Sequence, residues 1–513
     1  MSTVLDRDLL AIQEMRDAVA KAKEAQAKYM SYSQEQVDKI VKAVADAAYA
    51  KSYELAVMAV EETGMGVVEH KKIKNEVGSR DVYEWIKDEK TVGIVGENKE
   101  KKVLEIAAPF GVVAAIIPTT NPTSTAFFKT LIALKTRNAI VVSPHPYAVK
   151  CTIEALKVCE KAAVEAGAPE GLVGWLSHAS MEATQALMKY KDVHLILATG
   201  GGGLVKAAYS SGKPAYGVGP GNVPCYIEKT AKIEKSISMI VDSKSFDYGT
   251  ICATEQAMVV DKNVYTMAVR ELKKNGAYIL NAEEKARMEK VISPVPGKVN
   301  PKIVGRSPAV IAKLAGIDID DSVRLFVGEE TEVGRDIPFS LEKLSPVFAL
   351  YKAESQDHAK ELCGKLLDLG GRGHSLSIHT EDDQVAREFA LEMPVSRILV
   401  NTLSSVGAVG GTTGLAPSMT LGCGTFGGNI TSDNITAKHL LNIKRMAYGI
   451  KDVTIPKKGS IQAPPAASSY SQSKEDETSK IVKGVLSSMG KTDQIDVKEV
   501  SELVSKIIEQ YNK

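Results

Sequence analysis

The chain has 513 residues, 44% of them hydrophobic and 25% charged, proportions that allow a large buried core and exclude a mainly disordered or fibrous protein. Its 64 Lys and Arg balance 63 Asp and Glu for a formal net charge of +1. No field of one sign therefore marks a nucleic-acid or membrane partner, and a small-molecule ligand is expected.

Residues 1 to about 90 read as helices. Leu5, Leu9, Ile12, Met15 and Val19 recur at steps of three and four, and Ser33 precedes the segment QEQVDKIVKAVADAA as a capping residue. Residues 91–108 then switch to two apolar runs around a charged GENKEKK turn, the pattern of a two-stranded ribbon that serves assembly. From Gly111 short apolar strands alternate with helices. GVVAAIIP, AIVVSP and VHLILAT are separated by helical segments, one of them from about Ala148 to Ala166, as in a parallel sheet. A second α/β series runs from Val223 to about Asn429, with AMVVD, PAVIA, VFALY, SLSIHT and RILVN as its strands. Beyond Pro456 the composition turns to Pro, Ser, Ala, Gln and charge, which cannot bury enough apolar surface to fold alone. After this tether, Val497, Val500, Leu503, Val504, Ile507, Ile508 and Tyr511 form a stripe at helical period, and such a helix needs something to cover its face.

The N-terminus lacks the basic region and unbroken apolar core of a signal peptide. No apolar stretch reaches the roughly 18 residues of a membrane span. Six cysteines are scattered without a CxxC or a Cys/His ligand spacing, so no metal is expected and reduced thiols in the cytoplasm are the default.

Several segments could carry chemistry. LILATGGGGLVK, Leu195 to Lys206, places Gly200 to Gly203 where a strand ends and a helix begins, so backbone N–H groups and the helix dipole could meet a phosphate. It does not fit GxGxxG, because Val205 stands where the third glycine would fall, and a glycine turn with no ligand is an equal reading. In FDYGTICATEQ, Cys252 follows a turn that could present its thiol to a cleft, although most free cysteines are simply small buried residues. In PTTNPTST, Asn121 between prolines could donate an amide N–H to an oxyanion, or could belong to a plain turn. His374 and Glu342 taken alone are a loop histidine and a surface charge.

Together these segments resemble the aldehyde dehydrogenase superfamily, and in particular its coenzyme A-acylating branch. The resemblance runs from about Lys23 to Lys444 and includes IKNEVGSRDVY, PTTNPTSTAFFKTLIALKTRNAIVVSPHP, ILATGGGGLVKAAYSSGKPAYGVGPGNVP, SKSFDYGTICATEQA, EKLSPVFALY and APSMTLGCGTFGGN. It looks most like the aldehyde dehydrogenase half of bifunctional aldehyde–alcohol dehydrogenases, without room for the alcohol dehydrogenase half.

The resemblance implies an α/β aldehyde dehydrogenase fold. A Rossmann-like cofactor domain would span 1–90 and 109–222, and a catalytic domain 223–443. An oligomerisation ribbon would take 91–108 and 444–455, followed by a linker over 456–479 and an amphipathic tail over 480–513. Cys252 would be the nucleophile, with Asn121 and the Cys252 backbone N–H as oxyanion donors. An ungapped alignment with the PWNxP motif of the hydrolytic relatives instead puts Thr120 at their Asn. Pro118, Thr120, Ser143, Thr199, Gly200, Gly201, Gly219 and Glu342 would contact the nicotinamide cofactor. His374 matches a histidine near the thiol in the acylating branch and is the candidate to deprotonate coenzyme A.

Two departures from the hydrolytic enzymes carry meaning. Their ELGGK glutamate, which activates water, is replaced by Val218 in GVGPGN, so the thioester would last for a thiol to take. Ser143 replaces a lysine near the adenosine ribose; NAD is favoured on resemblance, with NADP open. The implied reaction oxidises a short aldehyde, propionaldehyde or acetaldehyde, to acyl-CoA. The tail resembles an encapsulation peptide that docks on the shell of a bacterial microcompartment, and the ribbon implies a homodimer or homotetramer. The rival readings are a hydrolytic aldehyde dehydrogenase, an acyl-phosphate reductase of similar fold, and a structural component of a microcompartment.

Overall fold

The computed structural model describes residues 6–458 and, nearer the C-terminus, 479–480, 482–484, 500–504 and 506. One unit comprises Met1–Ala447 and a second Tyr448–Lys513. In the first unit, Ser33 caps the helix Gln34–Ala50 reciprocally. Its Oγ accepts from the Gln36 N–H at 3.3 Å, and Gln36 Oε1 accepts from the Ser33 N–H at 2.9 Å. Val37, Ile40, Val41, Val44 and Ala48 then fall on one buried face.

The preceding helix, Arg7–Tyr29, is rotated from the expected stripe. Its buried face is Ala11, Met15, Val19, Ala22, Ala25 and Tyr29, while Leu9 is 61% exposed. Alanines, which count little in a stripe judged by large side chains, let this helix lie close against the sheet. Leu5 lies outside the described residues.

The ribbon consists of β1 (Gly93–Asn98) and β2 (Val103–Pro109), antiparallel. The five parallel strands that follow are β3 (Val112–Ile116), β4 (Ala139–Ser143), β5 (Val173–Trp175), β6 (Leu195–Thr199) and β7 (Ala215–Val218), in the spatial order β5-β4-β3-β6-β7. Every residue of β3 and β4 is buried, as expected of strands covered by helices on both faces. The helix Pro122–Lys135 is buried on all sides, Lys129 and Lys135 included.

The second sheet has seven parallel strands: β8 (Val223–Ile227), β9 (Glu255–Asp261), β10 (Ala277–Ile279), β11 (Leu325–Glu330), β12 (Val347–Ala353), β13 (Gly373–His379) and β14 (Val395–Val400). Their order is β10-β11-β12-β9-β8-β13-β14. The segment PAVIA, expected as a strand, instead opens the helix Pro308–Ala315. Ser307 is its N-cap and Pro308 its first residue, a helix-start signal that outweighs a short apolar run.

The chain returns to the ribbon as β15 (Leu441–Ala447), antiparallel to β2. The strand expected over 444–455 thus begins earlier and stops at Ala447. Ala447 pairs with Val103, where β2 begins.

In the second unit, the linker expected over 456–479 falls outside the described residues apart from 456–458 and Ser479. Of the tail expected over 480–513, the described residues are helical. Val482 and Ser501 are buried, and Ser479 Oγ lies 3.2 Å from Ser501 Oγ. Among the described residues no helix is long and apolar enough to cross a membrane.

Candidate active site

A cavity of about 450 Å³ opens at the C-terminal ends of the first sheet's strands, between β3, from which the chain runs outward to β4, and its neighbour β6, from which it runs the other way to β7. This switch point is where doubly wound sheets bind ligands. Pro118, Thr120 and Asn121 follow β3, Thr199 ends β6 and is followed by Gly200 and Gly201, and Val218 ends β7 with Gly219 after it. The chain beyond β8 contributes Thr250, Cys252 and Glu342, with Val409, Met419 and Leu421 as an apolar wall.

Cys252 is presented by an unusual turn. Asp247, Tyr248 and Gly249 are successive left-handed residues, with φ of 49°, 52° and 76°. For the two residues other than glycine this costs about 1–2 kcal/mol each. The Asp247 carboxylate offsets that cost by accepting from the Val67 N–H at 2.8 Å, Lys71 Nζ at 3.0 Å, Thr250 Oγ1 at 2.7 Å and Lys74 Nζ. The Asp247 N–H donates to His70 Nδ1 at 2.9 Å.

On the other side of Cys252, a Cβ at Gly221 would sit 1.8 Å from the Cys252 carbonyl oxygen, so only glycine fits there. The Gly221 N–H donates to Glu342 Oε1 at 2.7 Å, which fixes that carboxylate in the cavity wall.

Charge follows from these placements. Burial, then the Glu342 carboxylate, push the Cys252 thiol up to about 12, while Arg397 and the cysteine's own backbone N–H pull the other way. Burial also raises Glu342 against the Gly221 and Asn222 backbone hydrogen bonds. For Asp247, burial pushes the carboxyl up, but Lys71 and Lys74 more than reverse this and hold it at about 2. Burial lowers the Lys74 ammonium to about 8, with Asp247 opposing.

Two expected site residues lie elsewhere. Ser143, at the end of β4, is 1% exposed and its Oγ bonds Thr184 Oγ1 at 2.7 Å, so it is Pro144, His145 and Thr184 that face the cavity. His374 is fully buried in β13 and does not reach the cavity wall. Burial, then the Arg397 guanidinium, depress its imidazole to about 3, far too low to hold a thiol's proton at neutral pH. Its Nδ1 lies 3.0 Å from Ser375 Oγ, and its carbonyl accepts from Arg397.

Conversely, Lys71, Lys74 and Asp247 belong to the site without having been singled out from the sequence. HKKIKNE reads as a solvated charged helix face, and nothing local reveals that two of its lysines are buried against a carboxylate more than 170 positions away.

The residues fit a dinucleotide. The helix Gly202–Tyr209 begins at the cavity with Gly201 as its N-cap and no side-chain cap, and a Cβ at Gly201, Gly202 or Gly203 would meet nothing within 4 Å. Open backbone N–H groups at a helix N-terminus suit a pyrophosphate, and Glu342 offers a fixed carboxylate for hydroxyls.

Comparison with known proteins points to one family. The profile of the aldehyde dehydrogenase family matches residues 7–298. The bifunctional aldehyde-alcohol dehydrogenase of Escherichia coli K12 is 46% identical over 441 residues, which make up 85% of this chain and 49% of that protein. The chain thus spans about half the length of such curated relatives. An acetylating aldehyde dehydrogenase from Geobacillus thermoglucosidasius superposes with a TM-score of 0.87 at 53% identity, covering 88% of this chain and 100% of that one. A propionaldehyde dehydrogenase from the fucose utilisation microcompartment of Clostridium phytofermentans superposes with a TM-score of 0.76 at 29% identity, covering 85% of this chain and 97% of that one.

Proposed function

Since the chain belongs to the aldehyde dehydrogenase family, we propose that it is a CoA-acylating aldehyde dehydrogenase, oxidising a short aldehyde such as acetaldehyde or propionaldehyde with NAD and passing the acyl group to coenzyme A. Cys252 Sγ attacks the aldehyde carbon. Burial and the Glu342 carboxylate hold the thiol in its protonated form, so its proton passes to solvent as the S–C bond forms. The carbonyl oxygen, becoming an alkoxide, is met by the Asn121 amide N–H and the Cys252 backbone N–H. Each such donor is worth about 2.7–4 kcal/mol elsewhere. A bound nicotinamide would accept the hydride from the Cys252 adduct, which would leave an acyl thioester on Cys252. Glycines 200–203 and Glu342 hold the dinucleotide, and the Gly221 contact keeps Cys252 and Glu342 in fixed relation.

The observation that carries this reading is Val218. It lines the cavity, in the stretch GVGPGN that resembles the ELGGK motif carrying the water-activating glutamate of hydrolytic relatives, and its neighbours Ile251, Val409 and Leu421 are apolar. With no base there, the thioester waits for a thiol. NADH formation with propionaldehyde and NAD, followed at ~340 nm with and without CoA, tests this, since nicotinamide absorbs there only when reduced. Strict CoA dependence with a thioester product supports the reading, whereas equal rates with free acid overturn it in favour of hydrolysis.

The tail supports a second, separable reading. Its helical stripe follows a Pro/Ser/Ala-rich segment, and a relative comes from a microcompartment. We infer that the tail docks this enzyme on shell proteins within a cytoplasmic microcompartment. Deleting residues 459–513 should leave turnover in dilute solution within about twofold, because the tail follows a Pro/Ser-rich tether and, among the described residues, supplies none that line the cavity, while abolishing co-purification with shells. A collapse of the thermal midpoint would instead show the tail packing on its own enzyme. The outer edge of β15, which pairs with no further strand among the described residues and carries the exposed Met446, is proposed to pair with a second copy, which light scattering would show as a dimer or tetramer.

A further inference from the structure

Lys74, on the helix Val68–Glu76, has its side chain only 3% exposed. Its ammonium carries three N–H bonds, and each has an acceptor: the Asp247 carboxylate, Asn121 Oδ1 at 2.7 Å and Thr250 Oγ1 at 2.8 Å. Lys71, one turn earlier, also binds Asp247 and reaches the Thr120 carbonyl at 3.0 Å. One lysine suffices to neutralise one carboxylate. The second leaves a net positive charge under the floor of the cavity, and Lys74 directs it at two of the residues that line that cavity.

Asn121 shows the consequence. It is the N-cap of the helix Pro122–Lys135, and asparagine is among the best capping residues, yet its side chain makes no cap hydrogen bond. Instead Oδ1 is taken by Lys74. An ammonium has only donors, so it fixes which way the amide faces. The amide Nδ2 therefore points toward Thr120 Oγ1 at 3.1 Å and the Thr250 carbonyl at 3.4 Å, two residues before Cys252. The contact to the Thr250 carbonyl is long, which leaves that amide hydrogen for a stronger acceptor, and a cation on the amide oxygen polarises the N–H groups.

We propose that Lys74 is a positioning residue, whose ammonium locks the Asn121 amide in the orientation that donates to the oxygen developing on the Cys252-bound substrate. This rests on the reading of Cys252 as nucleophile and Asn121 as oxyanion donor. The lysine is protonated near neutrality, because Asp247 offsets much of the effect of burial.

The test is a double-mutant cycle on the full chain, with Lys74→Met and Asn121→Ala, reading kcat and the KM for NAD and aldehyde. Asn121→Ala should lower kcat by about 100-fold or more, as loss of an oxyanion donor does. Lys74→Met should lower kcat by roughly 10-fold with the KM for NAD unchanged, and should cost under about threefold once Asn121 is already Ala, since coupled residues are not additive. Lys74→Gln, which keeps a donor for Oδ1, should recover part of the loss, and it replaces Lys74→Met in the cycle should that variant fail to fold. An equal Lys74 penalty in both backgrounds would reduce the residue to a counter-ion for Asp247 and overturn the inference. No penalty from Asn121→Ala would mean that the reading of Asn121 itself had failed, a result distinguishable from the first.

Discussion

If the chain acylates coenzyme A as proposed, Val218→Glu should add hydrolysis to that reaction. Val218 ends β7, paired with Thr199, and its side chain contributes to the cavity wall among Ile251, Val409 and Leu421. A carboxyl placed there is poorly solvated, so its pKa rises toward neutrality, the range that suits a general base. Activating water in this way accelerates attack by about 100- to 10,000-fold, or roughly 3–5 kcal/mol of barrier. The larger side chain costs about 1–3 kcal/mol of stability, and a new anion near Cys252 adds to the influence of Glu342 that already raises the thiol. Net NADH formation should therefore fall while the fraction of product released as free acid rises from near zero to a majority when CoA is omitted. The assay is acid and acyl-CoA quantified per NADH, with and without CoA. A variant that still forms NADH only when CoA is present, and releases no acid, would refute the argument that a missing base at this position protects the thioester.

Three further outcomes follow from the same geometry. Cys252→Ala removes only the sulfur and should abolish NADH formation while leaving the thermal midpoint close to that of the parent; retained turnover would move the nucleophile elsewhere. Asp247→Asn leaves Lys71 and Lys74 buried without an anion and should destabilise the fold by about 3–5 kcal/mol, read as a lower urea midpoint; an unchanged midpoint would mean that the cluster is not under electrostatic constraint. Acid sensitivity should come from His374 and His379, which burial depresses to about 3 and about 4. Between these values and about 6.5 the unfolded chain binds protons that the folded one does not, so their stabilisation is present above about pH 6.5 and is lost as pH falls. At pH 5 the two together account for about 4 kcal/mol, and His379→Gln should remove about half of the decline in urea midpoint between pH 7 and pH 5. An identical decline in that variant would contradict the assignment.

The parts of the site that could be read from the sequence are those made by contiguous backbone. The Gly200–Gly203 turn is flanked by a strand and a helix, and Thr-Asn-Pro marks the loop after β3. Local pattern alone gave Cys252 no special standing, and it was the family resemblance that singled it out. What escaped was made by side chains meeting from distant segments. The Lys71–Lys74–Asp247 cluster joins a helix that looks solvent-facing to a turn whose strain is invisible in its composition. Ser143 and His374 were placed by correspondence with relatives, yet a hydrogen bond to Thr184 and the packing of β13 turn them away from the cavity wall. Small residues misled the helix reading as well, since the alanines of Arg7–Tyr29 set its buried face and leave Leu9 exposed. In PAVIA a Ser-Pro start overrode an apolar run that looked like a strand.

The measurement closest to the central claim is the mass of the Cys252 peptide after the enzyme is mixed with NAD and propionaldehyde without CoA. The account predicts a propionyl group on Cys252 that persists for many turnover times and is discharged when CoA is added, with propionyl-CoA formed in equal amount. Absence of the adduct, or its loss at the same rate with and without CoA, would contradict it.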